Sequence, residues 1–527
     1  MRLQDKLVRL RAQAGLSQEK LAAEMEVSRQ TVQKWESGAA TPEIEKLTRL
    51  ARRFGVSLDA LLLDGDRRGG EEMRGDTLIQ PEYAAMHEWE SYAACLPTEF
   101  RQCMEEGKDV GAYEGLFREV ARMPAGPLKT RMADILFELT QRTPQRKDYP
   151  FDEPSDLQEI QALRPAAQPG RRPRPENAEM ADCLMGAWLG RIAGCLLGKP
   201  IEGIRTEELH PLLQETGNWP LRRYILASDL TTEMLRKYTF RLKGKCWADS
   251  IPCAPSDDDT NYTVMAQKLL EECGRDFSPA DVARLWLDKQ PKKAYCTAER
   301  VTYCNLIKGY LPTASARFQN PFREWIGAQI RGDYFGYINP GDPETAAEMA
   351  WRDACISHTK NGIYGEMMIA AMLAQAAVEK DISVIIRAGL SQIPASSRLY
   401  QAVEKTLLAW GQGESCQACF AGIHRDYDEH NAHDWCHTIS NARIVTAALL
   451  YGQGAYGKSI CLAVQTGFDT DCNGATVGSI LGMRGGAGCI EPEWIAPLHG
   501  QLDTSIFGVG RVKIADLAAK TMEHLPR

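Results

Sequence analysis

Apolar residues recur at helical spacing in three parts of the chain, with polar residues between them. The first part holds QEKLAAEM, RQTVQKWE and IEKLTRLARRF within residues 1–66. The second holds MHEWESYAACL, AYEGLFREVARM and TRMADILFEL, mostly within residues 80–145, and the third opens with CLMGAWLGRIAGCLLG at residues 183–198. Apolar side chains three and four positions apart indicate helices that bury one face. The pattern therefore predicts helices in all three parts.

Helix start signals divide residues 1–66 into five short helices. Ser17, Ser28, the Thr41–Glu43 stretch and Ser57 each precede an apolar-periodic run, and Ser and Thr are common N-caps. Only Met25–Val27 separates the second helix from the third. That short turn predicts a helix-turn-helix arrangement.

Two stretches of the chain are unsuited to regular structure and indicate linkers. Residues 64–76 (DGDRRGGEEMRGD) are rich in Gly and charge, and residues 164–179 are rich in Pro and Arg. We therefore predict a domain at 1–66, a linker and helical spacer at 67–163, a second linker at 164–179 and a large domain at 180–527. The spacer shows no cluster that suggests chemistry; a dimerisation role is the alternative.

Composition and charge narrow the class of protein. The chain has 527 residues, 44% of them hydrophobic, which suffices for several domains. Its N-terminus lacks the apolar core of a signal peptide and its 16 Cys form no dense framework, which favours a cytoplasmic protein. The run at 183–198 is short for a bilayer span and carries Arg191, so no membrane segment is expected. The net charge of −8 means that any DNA contact must be local.

Two acidic turns stand more than 200 residues apart, each before an apolar helical run. PSDDDTNYTV (255–264) places three carboxylates side by side, and TGFDTDCNGATVGSILG (466–482) places Asp469 and Asp471 on either side of a threonine. One Asp at each turn is explained as a helix N-cap, but three exceed that need. Together the turns offer five hard oxygen ligands, which suit Mg²⁺ or Mn²⁺.

Four glycines at a spacing of four, Gly186, Gly190, Gly194 and Gly198, interrupt a run that otherwise favours helix. Each glycine costs a helix about 1 kcal/mol relative to Ala, so a repeated glycine face indicates that another backbone approaches closely. Lys199-Pro200-Ile201-Glu202 follows directly. We expect proline to end the helix and to present the glutamate at its edge.

The stretch LSQEKLAAEMEVSRQTVQKWESGAATPEIEKLTRLARRFGVSLDALL closely resembles the phage-repressor-like (XRE/Cro-type) helix-turn-helix family. The resemblance implies that Gln18 contacts a DNA phosphate and that the next helix reads the major groove. It also implies a homodimer on a palindromic operator. The groove-reading candidates are Ser28, Arg29, Gln30, Thr31, Gln33 and Lys34, residue types that bind phosphates and base edges.

A second resemblance rests on four motifs in order: GAWLGRIAGCLLGKPIEG, PSDDDTNYTV, DACISHTKNGIYGEMMIAAMLAQA and TGFDTDCNGATVGSILG. They resemble the ADP-ribosylglycohydrolase family, which includes the dinitrogenase reductase-activating glycohydrolase, over about residues 180–490. This resemblance implies an all-α chain whose large domain is an orthogonal helical bundle with a centre of two Mg²⁺ or Mn²⁺ ions. It also implies removal of ADP-ribose from modified side chains.

The site residues carried over by this resemblance come from both acidic turns. They are the metal ligands Asp257, Asp258, Asp259, Asp469 and Asp471 and the catalytic Glu202, which orients or deprotonates the water. Three positions depart from the family pattern. Asp257 stands where Thr or Ser is common, Cys472 where Thr or Ser is usual, and Cys195 where members often have Asp. A thiol is a soft ligand for a hard cation, so Cys472 is a doubtful ligand.

Weaker matches concern the substrate and a possible zinc site. GAQIR (327–331) and Ser357-His358 lie where the family has a glycine-rich segment ending in Arg and a Thr-His pair. The turn that holds Asn361, Gly362 and Tyr364 is interpreted either as a diphosphate cradle with a stacking wall or as a simple turn, and His358 either as a substrate contact or as a core residue. Cys416, Cys419, His430, His433, Cys436 and His437 suggest zinc by spacing, although a structural helix is the alternative.

Two hypotheses about function follow. In the first, the chain is a metal-dependent hydrolase of an ADP-ribosyl or related glycosidic bond that also binds DNA. In the second, it is a transcription regulator whose large domain senses ADP-ribose or a related nucleotide without turnover. Glu202 and the aspartates favour catalysis, whereas Cys195 and Cys472 leave room for a sensor.

Overall fold

The computed structural model describes residues 3–56, 61 and 87–526. The chain divides into two compact units, Met1–Ala85 and Met86–Arg527, and each is described by itself. Helices dominate both units, and the strands of the described residues are two short ones near the C-terminal end. The prediction of an all-α protein is therefore confirmed.

Four helices of the first unit match the sequence prediction. They are α1 Leu3–Gln13, α2 Gln18–Met25, α3 Arg29–Ser37 and α4 Ile44–Phe54. The predicted N-caps form, because Ser17 Oγ accepts from the Lys20 N–H at 3.2 Å and Ser28 Oγ from the Thr31 N–H at 3.1 Å. Glu26 takes a left-handed conformation (φ 55°) that makes the sharp turn between α2 and α3. The helix predicted after Ser57 falls mostly outside the described residues.

The second unit is built from a long series of helices and one small β-ribbon. The helices are α5 Leu96–Glu105, α6 Glu114–Arg122, α7 Pro127–Arg142, α8 Leu157–Ala162, α9 Asn177–Gly198, α10 Thr206–Glu215, α11 Met234–Lys237, α12 Asp258–Cys273, α13 Pro279–Lys289, α14 Thr297–Ile307, α15 Ala314–Arg317, α16 Asp333–Tyr337, α17 Pro343–Ala354, α18 Asn361–Ala376, α19 Ile382–Leu390, α20 Arg398–Gly411, α21 Cys416–Asp426, α22 Ala432–Cys436, α23 Thr438–Gly452, α24 Tyr456–Gln465, α25 Thr470–Gly485, α26 Pro492–Ile495 and α27 Ile514–Glu523. The strands β1 Gln501–Asp503 and β2 Arg511–Lys513 pair antiparallel.

Helices α9 and α25 pack backbone to backbone through the predicted glycine face. A Cβ atom built on Gly190 would lie 2.2 Å from the carbonyl oxygen of Gly478, and one on Gly194 would lie 2.0 Å from that of Gly474. No side chain fits at such distances, so the expected close approach is confirmed. Residues Asn177–Ile201 are long and apolar enough to cross a membrane, but 83% of the tested window is buried. Burial of this kind is expected of a core helix.

The residues predicted as a spacer are helical from Leu96 onward and pack with the large domain. Residues from Met86 onward belong to the same compact unit as the large domain. Helices α5, α6 and α7 have a small core of their own, which includes Leu96, Phe117 and Leu136. Residues 164–176 lack helix and strand, as predicted for a linker, yet the Arg172 N–H donates to the Gly341 carbonyl at 2.9 Å. We call residues 87–163 the docked segment.

Buried ion pairs attach the docked segment to the rest of the second unit. Arg323 binds Glu99 at 2.8 Å and Glu106 at 2.7 Å, and Arg398 binds Glu153 at 2.8 Å. Burial alone would raise the pKa of Glu106, but the charge of Arg323 lowers it. Sequence periodicity could not reveal this docking, because the partners lie more than 200 residues apart.

Replacing Gly194 tests the glycine contact. We expect Gly194→Ala to lower the free energy of unfolding by about 1–3 kcal/mol, because the added Cβ forces α9 and α25 apart. Urea denaturation followed by tryptophan fluorescence measures the change. Gly115→Ala is the matched control: it lies in α6 with nothing within 4 Å of the added atom and is expected to leave stability unchanged or slightly higher. Equal stabilities for the two variants would contradict the contact.

Removing Arg323 tests the docking of the segment. We expect Arg323→Met to destabilise the second unit by about 3–5 kcal/mol, because it leaves two buried carboxylates without their partner. The urea midpoint of the full chain is the readout. Arg142→Met, at a side chain that is 82% exposed, is expected to change stability by less than about 0.5 kcal/mol. An unchanged urea midpoint for Arg323→Met would show that these ion pairs do not hold the docked segment in place.

Candidate metal centre and nucleic-acid interface

The glycine contact places the C-terminal end of α9 against the N-terminal end of α25. A Cβ on Gly198 would lie 2.3 Å from the backbone nitrogen of Asp471, and Thr470 Oγ1 donates to the Gly198 carbonyl at 3.0 Å. Proline at position 200 then turns the chain, as predicted, and Glu202 follows this turn with an exposed side chain. Lys199 and Glu202 thus lie beside the second acidic turn.

The first acidic turn is brought to the same place by an arginine from the middle of α9. Arg191 is fully buried and donates to the Asp259 carbonyl at 2.6 Å and to Asp259 Oδ1 at 3.0 Å. Its remaining nitrogen pairs with Asp333 at 3.0 Å. A buried guanidinium needs such partners, so Arg191 fixes the start of α12 against α9.

The predicted carboxylates from both turns and Glu202 therefore meet in one cluster. Oxygen atoms of Glu202, Asp469 and Asp471 lie within 4.8 Å of one another. Atoms of Asp259, Asp471 and Cys472 form a second group of the same size, and those of Asp257, Asp259 and Cys195 form a third. Asp471 is common to the first two groups. Asp258, the remaining predicted ligand, is half-buried at the first turn of α12.

Two oxygens of this cluster are buried and have no hydrogen-bond partner, namely Asp259 Oδ2 and Asp469 Oδ1. The other oxygen of Asp469 lies 3.4 Å from the thiol of Cys436. A buried carboxylate oxygen without a donor is costly, and a divalent cation is one ligand that removes the cost. These oxygens fit a hard cation.

Mutual repulsion shows in the pKa values of the cluster. Burial and the charge of Asp257 raise the pKa of Asp471 to about 6. Burial and Asp471 raise the pKa of Asp469 well above its usual value, and the charge of Asp471 does the same for Glu202. Asp257 differs: burial alone would raise its pKa, but Lys199 lowers it. A bound cation would relieve the repulsion among the others.

The two cysteines of the cluster stay protonated. Burial, and then the charges of Asp257 and Asp259 respectively, raise the pKa values of Cys195 and Cys472 well above the usual range. A neutral thiol is a poor ligand for Mg²⁺ or Mn²⁺. The oxygens are therefore the ligand atoms that suit a hard cation here.

The three residues of the predicted diphosphate cradle lie inside the fold. Asn361, Gly362 and Tyr364 open helix α18 and are fully or almost fully buried. The Asn361 amide donates to Glu153 at 2.9 Å and the Tyr364 hydroxyl donates to the Pro154 carbonyl. These groups are bound to the docked segment and offer nothing to a substrate. The other interpretation, a structural turn, is the one that the contacts support.

His358 and the cysteine-rich region also have structural partners. His358 Nδ1 lies 2.8 Å from Ser357 Oγ, while its Nε2 has no hydrogen-bond partner and the ring lines a cavity of about 180 Å³.

Among the described residues, the group of possible metal ligands at His433 and His437 includes Glu105 rather than a cysteine. His433 Nδ1 accepts a hydrogen bond from the Trp325 indole N–H, and His437 Nδ1 accepts one from the Ile439 N–H. In each ring Nε2 therefore carries the proton, and it faces a carboxylate. The helical alternative to zinc is favoured.

Sequence reasoning missed two basic residues of the cluster, Arg191 and Lys199. Arg191 was visible as a charge inside an apolar glycine-rich run, and a buried arginine requires an acidic partner. Lys199 precedes the proline of the KPIE stretch, a position that looks exposed in sequence. No periodicity could show that its side chain turns toward Asp257.

Helix α3 separates a buried face from an exposed face in the first unit. Val32 and Trp35 are buried, whereas Arg29, Gln30 and the two residues after Val32 are exposed. Of the six groove-reading candidates, Ser28 is the N-cap and Thr31 bonds to it at 2.8 Å. Arg29 pairs with Glu19 at 2.9 Å, and Gln30, Gln33 and Lys34 are exposed for base contacts.

Gln18, the predicted phosphate contact, is bound inside the domain. Its amide nitrogen donates to Glu36 at 2.7 Å, and Glu36 also pairs with Arg11 at 2.5 Å. Its side chain is only half-buried. The contact with Glu36 positions the start of α2 beside α3, and the phosphate contact stays a prediction.

Comparisons with known proteins agree with both parts of the chain. A family model described as ADP-ribosylglycohydrolase matches residues 176–525, and one described as Helix-turn-helix matches residues 7–61. The HTH-type transcriptional activator BcrR of Enterococcus faecalis is 40% identical over 73 residues, which cover 14% of this chain and 33% of that protein. The chain thus spans about a third of the length of that relative.

A solved structure titled ADP-ribosylglycohydrolase-related protein complex is also similar. It is 18% identical, with a TM-score of 0.41, and the match covers 66% of this chain and 98% of that one. The family assignment rests on the match to residues 176–525 and not on this likeness.

The exposed face of α3 yields a prediction for DNA binding. We expect Gln33→Ala to weaken binding to the cognate operator by about 1–3 kcal/mol, because a side chain that pairs with a base edge is lost. Fluorescence anisotropy on an operator selected from random DNA measures the change. Gln13→Ala at the end of α1, also exposed, is the matched control and is expected to bind normally. Equal binding by both variants would contradict the assignment of this face.

Proposed function

Because the chain belongs to the ADP-ribosylglycohydrolase family, we propose that its large domain hydrolyses an ADP-ribosyl or related ribosyl glycosidic bond with the help of Mg²⁺ or Mn²⁺. The observation that carries the proposal is the convergence of Glu202 with both acidic turns, together with two buried carboxylate oxygens that have no partner. The family resemblance implies two ions. In this proposal the oxygen ligands come from the two acidic turns, at Asp257, Asp258, Asp259, Asp469 and Asp471.

Hydrolysis of the glycosidic bond requires an oriented ribose and a deprotonated water. Cleavage at ribose C1 passes through an oxocarbenium-like state, which an oxygen nucleophile must reach from one face. Glu202 is exposed at the edge of the cluster, so water reaches its carboxylate, and Asp471 raises its pKa. A carboxylate in this position can accept the proton of the attacking water. A bound divalent cation supplies Lewis-acid polarisation of the ribose oxygens.

The helix-turn-helix domain adds sequence-specific DNA binding to this activity. We place the exposed α3 face in the major groove and Gln18 near a phosphate, in a homodimer on a palindromic site. The presence of both domains on one chain favours a second candidate function. In that case the large domain binds ADP-ribose or a related nucleotide without turnover and alters DNA binding.

Release of free ADP-ribose tests the proposal. Peptides ADP-ribosylated on arginine or serine are incubated with the full chain in Mg²⁺, in Mn²⁺ and in EDTA, and we expect release that EDTA abolishes. We expect Asp469→Asn to lose cation binding and activity together. Glu202→Gln is expected to keep the cation and to lower the rate by about 10²–10⁴, because only the general base is lost.

The control variant is Asp288→Asn, an exposed carboxylate on α13 that is expected to leave activity unchanged. Full activity of Asp469→Asn would contradict the centre. If the chain bound ADP-ribose but released none from the peptides with either metal, the second candidate function, a nucleotide sensor, would be favoured. Operator affinity measured with and without ADP-ribose would then show whether the nucleotide alters DNA binding.

A further inference from the structure

A cavity of about 300 Å³ lies where the docked segment meets the rest of the second unit. The docked segment contributes Lys108 and Ser155 to its lining, and the rest of the unit contributes Arg317, Thr359 and Lys360. Its lining shares no residue with the carboxylate cluster. The docked segment also precedes residues 176–525, which match the family model, so the matched region alone does not form this cavity.

Three basic side chains of this lining have no acidic partner. Among the residues that the structure describes, Lys108, Arg317 and Lys360 form no ion pair with an aspartate or a glutamate. The Lys108 ammonium donates only to a neutral acceptor, the Thr140 carbonyl, at 3.0 Å. Their charges are therefore available to a ligand.

The two glutamates in the lining are already bound to arginines. Glu106 pairs with Arg323 at 2.7 Å, and Glu153 pairs with Arg398 at 2.8 Å. Arg323 lines the cavity as well, but its charge is also shared with Glu99 at 2.8 Å. The charge left over in the cavity is positive, which favours an anion.

Thr359 offers a hydroxyl that is ready to bind a ligand. Its side chain lines the cavity, the residue is only 6% exposed, and Oγ1 has no hydrogen-bond partner. A buried hydroxyl without a partner costs free energy, and an oxygen of a bound anion would accept its proton. The next residue, Lys360, has a left-handed backbone (φ 47°) that a lysine rarely adopts, and its N–H donates to Ser155 Oγ at 3.1 Å. Such strain is often found at binding sites.

An adjoining cavity of about 180 Å³ has a more apolar lining. It shares Ser155, Arg317 and Thr359 with the first cavity and adds Trp351 and Ile363. The Trp351 indole N–H donates to the Ser155 carbonyl at 2.9 Å, which holds the ring in place. An indole and an aliphatic side chain suit the ring or apolar part of an organic molecule.

We infer that the two cavities together bind a small organic phosphate of the size of a nucleoside monophosphate. Lys108, Arg317 and Lys360 hold the phosphate with the Thr359 hydroxyl, and the rest of the molecule lies against Trp351. This site goes beyond the proposed function and does not depend on it. Because its cations come from both sides of the cavity, a bound phosphate bridges the docked segment and the rest of the second unit.

Calorimetric titration of the full chain tests the inference. Adenosine monophosphate (AMP) and inorganic phosphate are the probes, and EDTA is present so that no divalent cation at the carboxylate cluster can bind them. We expect AMP to bind, and inorganic phosphate to compete with it and to bind more weakly. We expect Lys360→Gln to weaken AMP binding by about 10- to 100-fold, because a hydrogen bond between charged groups is lost.

A second variant guards against misfolding at the strained backbone of Lys360. Arg317→Gln changes an exposed side chain on α15 and is expected to weaken AMP binding to a similar extent. Lys308→Gln, at an exposed lysine, is the matched control and is expected to bind AMP normally. The metal-dependent release of ADP-ribose is expected to be the same in all three variants. The urea midpoint shows that each variant is folded.

The outcomes separate this inference from the proposed function. AMP binding that neither Lys360→Gln nor Arg317→Gln weakens would place the nucleotide elsewhere and overturn the site. No binding of AMP or phosphate at millimolar concentration would also overturn it and leave the hydrolase proposal standing. Equal affinities for AMP and inorganic phosphate would overturn the part assigned to Trp351.

Discussion

The contact between α9 and α25 is the constraint on which the site depends. Glycines on both helices let the backbones touch, so the ends of the helices are fixed to each other with little freedom. Lys199 and Glu202 follow one helix, and Asp469 and Asp471 begin the other. A side chain anywhere along the contact would move one acidic group relative to the other. Rigid helix ends are suited to holding like charges at short range.

The carboxylates of this cluster can lie close together because two basic residues form ion pairs within it. Arg191 holds Asp259 and Asp333, and Lys199 holds Asp257. Removing either cation would leave a buried, uncompensated carboxylate, which is among the costlier defects a fold can carry. The oxygens that these residues leave free are the ones available to a metal ion. The chain's own cations thus offset part of the negative charge of the cluster.

Much of this arrangement was predictable from sequence, and the limits have physical reasons. Periodicity and N-cap signals predicted the helices, and the spacing of Gly186–Gly198 predicted a close backbone contact. The fate of Asn361 and Tyr364 was not predictable, because their partners lie in the docked segment more than 200 residues away. The same holds for Lys199, since a side chain's direction after a helix end depends on tertiary contacts.

The docked segment belongs to the second unit. Buried ion pairs fix residues 87–163 to the rest of that unit, so they are a structural part of the domain that holds the carboxylate cluster. Helix α5 also reaches α22 through Arg101 and Asp434, and α22 carries Cys436 next to Asp469. A continuous set of contacts therefore runs from the segment to the cluster.

Anomalous diffraction from crystals of the full chain grown with Mn²⁺ tests the central claim most directly. The account predicts anomalous density among the carboxylates of the two acidic turns, at Asp259, Asp469 and Asp471. A peak elsewhere, or none at these carboxylates with Mn²⁺ in excess, would contradict the claim that the helix ends form a metal centre.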